Sequence, residues 1–133
     1  MKSLNEVLAR ELDLMLETWN YHWNVEGPLF PSLHALFESQ YGTLQGISDE
    51  IAERVRALGV VAETRVNMII AKSTSTQEML SNLATKHEAL ARWMQDELVP
   101  AYAESGDPAS ADLLTQTLQK HDKAAWMLRA TAK

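Results

Sequence analysis

The amino-acid sequence predicts an all-α fold of four antiparallel helices with one long crossover connection. Two observations lead to this prediction. Apolar residues recur at spacings of three and four positions over four long stretches. Short segments containing Gly, Pro and Ser separate these stretches, and such segments end helices. No internal repeat or low-complexity segment interrupts the 133 residues, so we expect a single domain over residues 1–133.

The first helix is predicted over residues 4–25, where Ser3 and Glu6 form a capping box at its start. A stretch with one glycine and two prolines, residues 27–31, is expected to break the chain. The second helix is predicted over residues 32–58, because apolar side chains recur at helical spacing throughout it and a glycine follows its end.

The long connection after the second helix is too long for a tight turn and too apolar for free solvent. A short helix over residues 64–71 is one expectation, and an ordinary crossover loop is the alternative that the residues leave open. The third helix is predicted from an N-cap at Thr76 to about residue 104. The fourth helix is predicted over residues 108–130, after a Ser-Gly-Asp-Pro turn.

Four side chains in the first half of the chain have the chemistry of metal ligands: His22, His34, Asp49 and Glu53. Asp49 and Glu53 are four residues apart, so they share one face of a helix. Two imidazoles and two carboxylates suit a divalent transition metal such as iron better than calcium or magnesium. His22 also falls on an apolar stripe, where a lone histidine is more often a satisfied core residue.

His34 and Asp49 lie on the same predicted helix, fifteen residues apart. This spacing separates them by about 22 Å along the helix axis, so no metal ion contacts both within one chain. The two pairs meet if the helix packs antiparallel against its own copy across a twofold axis near Gly42. Gly42 and Gly46 are small enough to let two backbones approach closely. The spacing therefore predicts two equivalent iron sites shared between two subunits.

One face of the second helix is polar. At about 100° per residue this polar band consists of His34, Glu38, Gly42, Gln45, Asp49 and Glu53. The helix then has two faces to bury, one in its own bundle and one against a partner. The alternative is an ordinary solvated face, as charged helical faces usually are. Glycines in a helix cost stability and need a reason, which favours close packing.

The stretch HWNVEGPLFPSLHALFE, followed by DEIAERVRALG, resembles the signature of the Dps family, the small dodecameric ferritins named as DNA-binding proteins from starved cells. The family pattern is His, eleven residues, His, fourteen residues, Asp, three residues, Glu. His22, His34, Asp49 and Glu53 match it in identity and spacing. The stretch ADLLTQTLQKHDKAAWMLRA is similar to the family's last helix, so the resemblance covers nearly the whole chain.

The resemblance implies a ferritin-like four-helix bundle, and twelve subunits in a hollow shell built from twofold dimers. It implies ferroxidase sites between subunits, which oxidise Fe(II) preferentially with hydrogen peroxide and so protect against oxidative damage. Glu38 falls where the family carries an acid that helps hold the second iron. Trp23 matches a tryptophan close to the site, where it intercepts stray oxidising equivalents or simply packs. The short crossover helix would lie at the dimer interface through Arg65, Met68, Ile69 and Ile70.

Two acids at the start of the fourth helix, Asp107 and Asp112, fall in a region that lines threefold pores in the family. Three copies of each acid would make a funnel for cations. The alternative is compensation of the helix N-terminal dipole.

The composition disfavours other functions. The net charge is −6 and only Met1 and Lys2 precede the first helix cap, so the alternative function of a DNA-compacting stress protein is poorly supported. The absence of cysteine excludes thiolate sites, and no Glu-x-x-His pair is present for a di-iron centre inside one bundle. His87 and His121 are expected to be core or interface histidines. The sequence shows no signal peptide and no membrane span, and a cytoplasmic location is the default expectation.

Overall fold

The computed structural model describes residues 3–67 and 74–133, and all regular structure in these ranges is helical. The helices are α1 Leu4–Asn24, α2 Phe30–Ala57, α3 Thr76–Trp93, α4 Val99–Glu104 and α5 Pro108–Ala132. A π-helical turn, Met94–Leu98, lies between α3 and α4. The chain divides into an N-terminal unit, Ser3–Met79, and a C-terminal unit that begins at Leu80. The all-α prediction is therefore confirmed.

The beginnings of α1 and α2 differ from the predictions. The Ser3 side chain makes no capping hydrogen bond, and the Glu6 N–H donates instead to the Ser3 carbonyl oxygen at 3.0 Å. Helix α2 begins at Phe30, so Pro31 lies inside its first turn and does not break the chain. Proline is tolerated there because the first N–H groups of a helix have no intrahelical partner. Gly27 makes the preceding turn with a φ of 111°, which side chains with a Cβ rarely adopt.

Helices α1 and α2 pack antiparallel in the N-terminal unit. Trp19 contacts Tyr41 and, nearer the connecting turn, His22 contacts His34. Helix α2 buries one stripe, which comprises Leu33, Phe37, Leu44, Ile47, Ile51 and Val55. Because α2 is one uninterrupted helix, the polar side chains at its two ends are separated by most of its length.

The connection after α2 is held against α1 by polar side chains of that helix. Asn5 donates from Nδ2 to the Val61 carbonyl oxygen, and its Oδ1 accepts the Glu63 N–H, both at 2.9 Å. The Asn67 N–H donates to Asp13 Oδ1 at 3.0 Å. These backbone groups bind side chains of another helix and do not form a helical ladder of their own.

The short helix predicted over residues 64–71 is wrong for its first half. Residues 64–67 are not helical, and the rest of the predicted helix, with its expected contacts Met68, Ile69 and Ile70, lies outside the described residues. Arg65 is exposed and pairs with Glu63 at 2.8 Å.

Helix α3 begins one residue away from the prediction. The Glu78 N–H donates to Ser75 Oγ at 3.2 Å, so Ser75 is the capping residue and Thr76 is already helical. Further along, Pro100 lies in the first turn of α4 and has no N–H. An α-helical turn would press its ring against the carbonyl of residue 96. The wider π-helical turn before it relieves this clash.

The C-terminal unit joins α3 to α5 through an ion pair between Arg129 and Glu88, at 2.7 Å. Helix α5 begins at Pro108, as predicted, and ends two residues beyond the predicted end. None of the helices in the described ranges has the length and apolar character needed to cross a membrane.

Candidate metal centre

His22 and His34 form a stacked pair at the end of the α1–α2 hairpin. Their ring centroids are 3.7 Å apart and the ring planes differ by 13°. Nδ1 of each ring lies 2.7 Å from the main-chain carbonyl oxygen of the other residue. Because a carbonyl oxygen can only accept, each Nδ1 carries the proton and donates. The Nε2 lone pair of each neutral ring is then left for a metal ion, as in histidine ligands that donate their other N–H to a carbonyl.

Aromatic neighbours hold this pair in place. The ring of Phe30 lies 4.9 Å from that of His34, and Tyr41 meets His22 edge-on at 5.3 Å. His22 is 7% exposed and His34 is half-buried. Burial by itself fits both a core role and a ligand role for His22. The reciprocal bonds favour the ligand role, because they orient both rings and fix their tautomers.

Asp49 and Glu53 are both exposed on α2, one turn apart. The pKa of Glu53 is raised, first by a hydrogen bond shared with the Asp49 carboxyl and then by repulsion from its charge. Two carboxylates this close disfavour their joint ionised form, and a cation bound between them relieves the repulsion. Glu38 is also exposed, one turn after His34.

The structure does not bring the two pairs together within one chain. Among the described residues, no group of three or more His, Asp or Glu side chains is placed to hold a metal ion. On the continuous α2, fifteen residues separate His34 from Asp49, or about 22 Å. The assignment of His22, His34, Glu38, Asp49 and Glu53 as ligands therefore stays a prediction, with each pair as half of a site.

The polar band between the two pairs is open. Every member except the half-buried His34 is exposed. A Cβ added to Gly42 or Gly46 would have no atom of the described residues within 4 Å. Both glycines line a groove of about 550 Å³, which is completed by Leu8, Leu12, Gln45, Ser48, Asp49, Ala52, Ala62 and Thr64. The packing of residues 3–67 and 74–133 therefore does not require glycine at either position.

A second histidine pair lies in the C-terminal unit. His87 and His121 are buried, and their Nδ1 atoms are 2.8 Å apart, so that one donates to the other. Burial, and then the nearby His121, lower the pKa of His87 to about 3. Nε2 of His87 has no hydrogen-bond partner in the described part of the chain. Of the two positions predicted for them, core or interface, the structure shows the core.

The acids at the start of α5 are engaged locally. Asp107 caps the helix, since it accepts hydrogen bonds from the Ser110 N–H at 3.1 Å and from the Ser110 hydroxyl at 2.5 Å. Asp112 accepts a hydrogen bond from Gln116 at 2.9 Å. These contacts favour the helix-terminus role, and the pore role stays a prediction.

No place near the site was predicted for Tyr41 or Trp19, yet the Tyr41 ring lies beside His22 and the Trp19 ring contacts Tyr41. Trp19 is 5.7 Å from Tyr41 and 4.9 Å from Trp23. Trp19 precedes His22 by three residues on α1, and this spacing could have predicted that the two side chains share a helix face. Tyr41 is on another helix, and only the packing of α1 on α2 shows its proximity.

Comparisons with known proteins agree with this architecture. The sequence profile of the ferritin-like domain matches residues 1–133. An uncharacterised low-temperature-induced protein of Nostoc is 38% identical over 136 residues, covering 96% of this chain and 76% of that protein. The DNA protection during starvation protein of Agrobacterium fabrum is 32% identical over 141 residues, covering 96% and 83%. The crystal structure of a Dps protein from Vibrio cholerae matches with a TM-score of 0.89 at 28% identity, over 98% of this chain and 86% of that one.

The helices and these likenesses define a ferritin-like, all-α four-helix-bundle protein. The Vibrio protein is described as a member of a broad superfamily of ferritin-like diiron-carboxylate proteins. Within this class the chain belongs to the Dps family, as its resemblance predicted. Iron binding and a protective iron-storage role are the general functions that these relatives support.

Proposed function

We propose that the protein oxidises Fe(II) at sites shared by pairs of subunits, preferentially with hydrogen peroxide, and stores the ferric product. The observation that supports this most directly is the reciprocal hydrogen bonding of His22 and His34. It prepares two Nε2 lone pairs at one end of α2, while the paired carboxylates Asp49 and Glu53 lie about 22 Å away. Each pair is half of a donor set that suits iron.

The open polar band supports an antiparallel pairing of α2 with its copy. Its exposed glycines contact no side chain of the described residues through a Cβ position, and the groove beside them is wide enough to accept side chains. A twofold axis near Gly42 places the histidines of one subunit beside the carboxylates of the other, twice in each dimer. Six such dimers would close the twelve-subunit shell that the family resemblance implies, with each chain as one domain in the cytoplasm.

The donors have separate tasks in this site. Imidazoles His22 and His34 bind the substrate Fe(II) without adding charge, and Asp49 and Glu53 neutralise the charge that grows as Fe(II) becomes Fe(III). Glu38, close to the histidines on α2, would hold a second Fe(II). Two Fe(II) ions supply two electrons, which together with two protons reduce hydrogen peroxide to two water molecules. No hydroxyl radical is released when both electrons are available.

Protection of DNA follows from this chemistry without binding to DNA. A shell that consumes Fe(II) and peroxide together removes both reagents that generate hydroxyl radicals. The net charge of −6 disfavours contact with phosphates. We therefore expect no DNA retardation in a gel-shift assay at physiological salt, and salt-sensitive binding would contradict this part of the proposal.

Subunit complementation tests the shared site. The two inactive variants are His22→Ala/His34→Ala and Asp49→Ala/Glu53→Ala, co-expressed in equal amounts. With random pairing half of the dimers are mixed, and one of the two sites in each is intact. About a quarter of wild-type Fe(II) oxidation should return. An intrachain site predicts no recovery, and absence of activity in correctly assembled shells would refute the proposal.

A second mixture provides the matched control. The wild-type chain is co-expressed with a chain that carries all four substitutions. Shared sites predict that only wild-type dimers are active, which is about a quarter of the full rate, whereas intrachain sites predict about half. Light scattering on both mixtures should show a mass near twelve subunits. A stable monomer would contradict both the shell and the shared site.

A further inference from the structure

The connection after α2 lies as an extended strap along α1, and we call its residues 60–67 the strap. The side-chain amide of Asn5 binds both the Val61 carbonyl oxygen and the Glu63 N–H, which point to the same side as they do in an extended chain. The side chains of Glu63 and Arg65 pair at 2.8 Å, so they also lie on one side. Odd-numbered side chains therefore share one face of the strap, and even-numbered side chains share the other.

The even-numbered face is small or apolar, and it is open. We call its four side chains, Val60, Ala62, Thr64 and Val66, the apolar strap face. Ala62 and Thr64 line the same groove as Gly42. Val60 and Val66 are each 51% exposed. The apolar strap face is therefore continuous with the open side of α2 at which a second subunit is expected.

The strap is fixed through its backbone. Asn5 and Asp13 of α1 bind N–H and C=O groups of the strap at distances of 2.9 to 3.0 Å. The two charged side chains of the strap, Glu63 and Arg65, neutralise each other. Because the backbone is held while the apolar side chains stay exposed, the surface suits an uncharged, apolar partner with a polar rim around it.

A second exposed apolar surface lies at the other end of α2. Leu29 is 49% exposed and Phe30 is 39% exposed, and the Phe30 ring lies 4.9 Å from that of His34. Ala52, which lines the groove together with Ala62, is separated from Phe30 by about 33 Å along the helix. The two apolar surfaces of one chain therefore do not touch each other.

A twofold axis near Gly42 brings these surfaces together between two copies. It places position 52 of one α2 opposite about position 32 of the other. The flanks agree as well, because Ser48 of the groove follows Phe30 by eighteen residues, or five full turns, and so lies on the same flank of α2. An axis perpendicular to two antiparallel helices brings the same flank of each copy to the same side.

We propose that the apolar strap face of one subunit receives Leu29 and Phe30 of a second copy, and that this contact closes the flank of each shared iron site. The inference rests on the twofold pairing in the proposed function. Phe30 then packs between the partner's strap and its own His34, and so holds the His34 ring toward the partner's carboxylates. Asn5 is a positioning residue for subunit pairing, because it places the strap without touching the partner.

The surface is tested in the iron-free protein by sedimentation over a range of concentrations. Ala62→Asp places a charge where Leu29 and Phe30 would bury it unpaired, so subunits should associate at least about tenfold more weakly. Val61→Asp is the matched control, since Val61 is 69% exposed on the opposite face of the strap. Its association should stay within about twofold of the wild type. Circular dichroism checks that both variants keep their helices.

Proximity is tested by cysteine cross-linking, because the chain contains no cysteine of its own. Chains with Leu29→Cys and chains with Ala62→Cys are co-expressed, assembled without iron and treated with a short bismaleimide. A covalent dimer should form in the mixture and be absent when either chain is assembled alone. A mixture of Leu29→Cys with Val61→Cys should give severalfold less covalent dimer.

Asn5→Ala tests the positioning role. It frees the strap, and association should weaken severalfold. Thr18→Val is the matched control, since it also removes a buried hydrogen bond of α1 but leaves the strap in place. At protein concentrations that restore assembly, Asn5→Ala should oxidise Fe(II) at the wild-type rate per shell, because Asn5 acts only on the pairing of subunits.

Two results would overturn the inference. One is equal association of Ala62→Asp and Val61→Asp at every concentration. The other is an assembled mixture in which Leu29→Cys links to Ala62→Cys no better than to Val61→Cys. A cross-linked assembly that oxidises no Fe(II) contradicts the proposed function and supports the strap contact. Recovery of oxidation in the complementation test without the cross-link contradicts the strap contact alone.

Discussion

The two histidine pairs of this chain contain the same side chains in opposite environments. In the N-terminal unit, His22 and His34 give their Nδ1 protons to backbone carbonyls, and the stack lies beside the open polar band. In the C-terminal unit, His87 and His121 face each other through their Nδ1 atoms and are buried.

The difference shows what prepares a histidine for metal binding. A carbonyl partner fixes the proton on Nδ1 in both rings, so both rings keep a lone pair on Nε2. In the Nδ1–Nδ1 pair one ring must accept, so the two neutral rings are different tautomers and cannot both direct Nε2 lone pairs at one ion. Proximity of two imidazoles is therefore insufficient to predict a metal site.

The largest expected effect separates the pairs by function. His34→Ala should lower the rate of Fe(II) oxidation by at least about 100-fold, since even loss of a residue that only supports a ligand costs about 10–100-fold. It should cost only about 1 kcal/mol of stability, for the lost hydrogen bond to the His22 carbonyl.

His121→Ala should behave in the opposite way. Fe(II) oxidation should stay close to wild type, while stability falls by about 1–3 kcal/mol because His87 loses its buried partner. Stopped-flow absorbance and urea unfolding measure the two effects. If His121→Ala forms an intact shell but oxidises Fe(II) much more slowly, the functional difference between the two histidine pairs is contradicted.

The pH dependence of stability is the next largest effect. The pKa of His87 is lowered to about 3 in the folded chain by burial, whereas an unfolded histidine titrates near about 6.5. Neutral His87 therefore contributes fully to the free energy of unfolding above the unfolded pKa. This contribution is lost as the pH falls from there toward the folded pKa. In this window the free energy of unfolding should fall by about 1.4 kcal/mol for each unit by which the pH falls. His87→Gln should remove that part of the slope in urea unfolding from pH 6.5 to 4.5, and an unchanged slope would contradict the assignment.

Gly42→Leu tests the open face at which the two halves of the iron site are expected to meet. Overpacking at a close helix crossing costs about 1–3 kcal/mol, so dimers and larger assemblies should weaken. The subunit fold should be retained, because no atom in the described part of the chain lies within 4 Å of a Cβ at this position. Thr43→Leu, at an exposed neighbouring position outside the polar band, is the matched control. If sedimentation shows an intact assembly for both variants, the prediction of a twofold axis near Gly42 is contradicted.

The smallest effect concerns Asp107, an acid that already has partners in one subunit. Asp107→Ala should cost about 1 kcal/mol through loss of the helix cap, whereas Asp107→Asn should retain most of the stability because asparagine also caps helices. If Asp107 also draws cations toward a pore, Asp107→Asn should slow iron uptake at low salt only. Equal uptake at every ionic strength would leave capping as its role.

The sequence predicted the helices well because their apolar periodicity is a local property. The errors are at a helix start, in a connection and at one irregular turn, which apolar periodicity does not describe. Residues 64–67 are not helical, and α1 binds the chain on both sides of this stretch, through the N–H groups of Glu63 and Asn67. Ser75 caps α3 although the next residue, Thr76, is an equally suitable capping type. The π-helical turn before Pro100 has no signal in apolar spacing.

The ligand assignment stays a prediction, and its two halves rest on local properties of the sequence. The separation of His34 from Asp49 depends only on the rise of a helix, and the ligand types depend only on chemistry. The Nδ1 hydrogen bonds and the position of Tyr41 depend on how α1 packs on α2, which no spacing within one helix encodes. The same limitation applies to the contact between His87 and His121.

The bonds that connect His22 and His34 also tie two helix ends together. Each histidine donates to the backbone of the other helix, so replacing either one loosens the α1–α2 hairpin as well as removing a ligand. Selection for a well-folded subunit would therefore preserve both proposed ligands, even in a period when iron is scarce. A designer who wants an empty, iron-inert container should for this reason change Asp49 and Glu53, which are exposed, and leave both histidines in place.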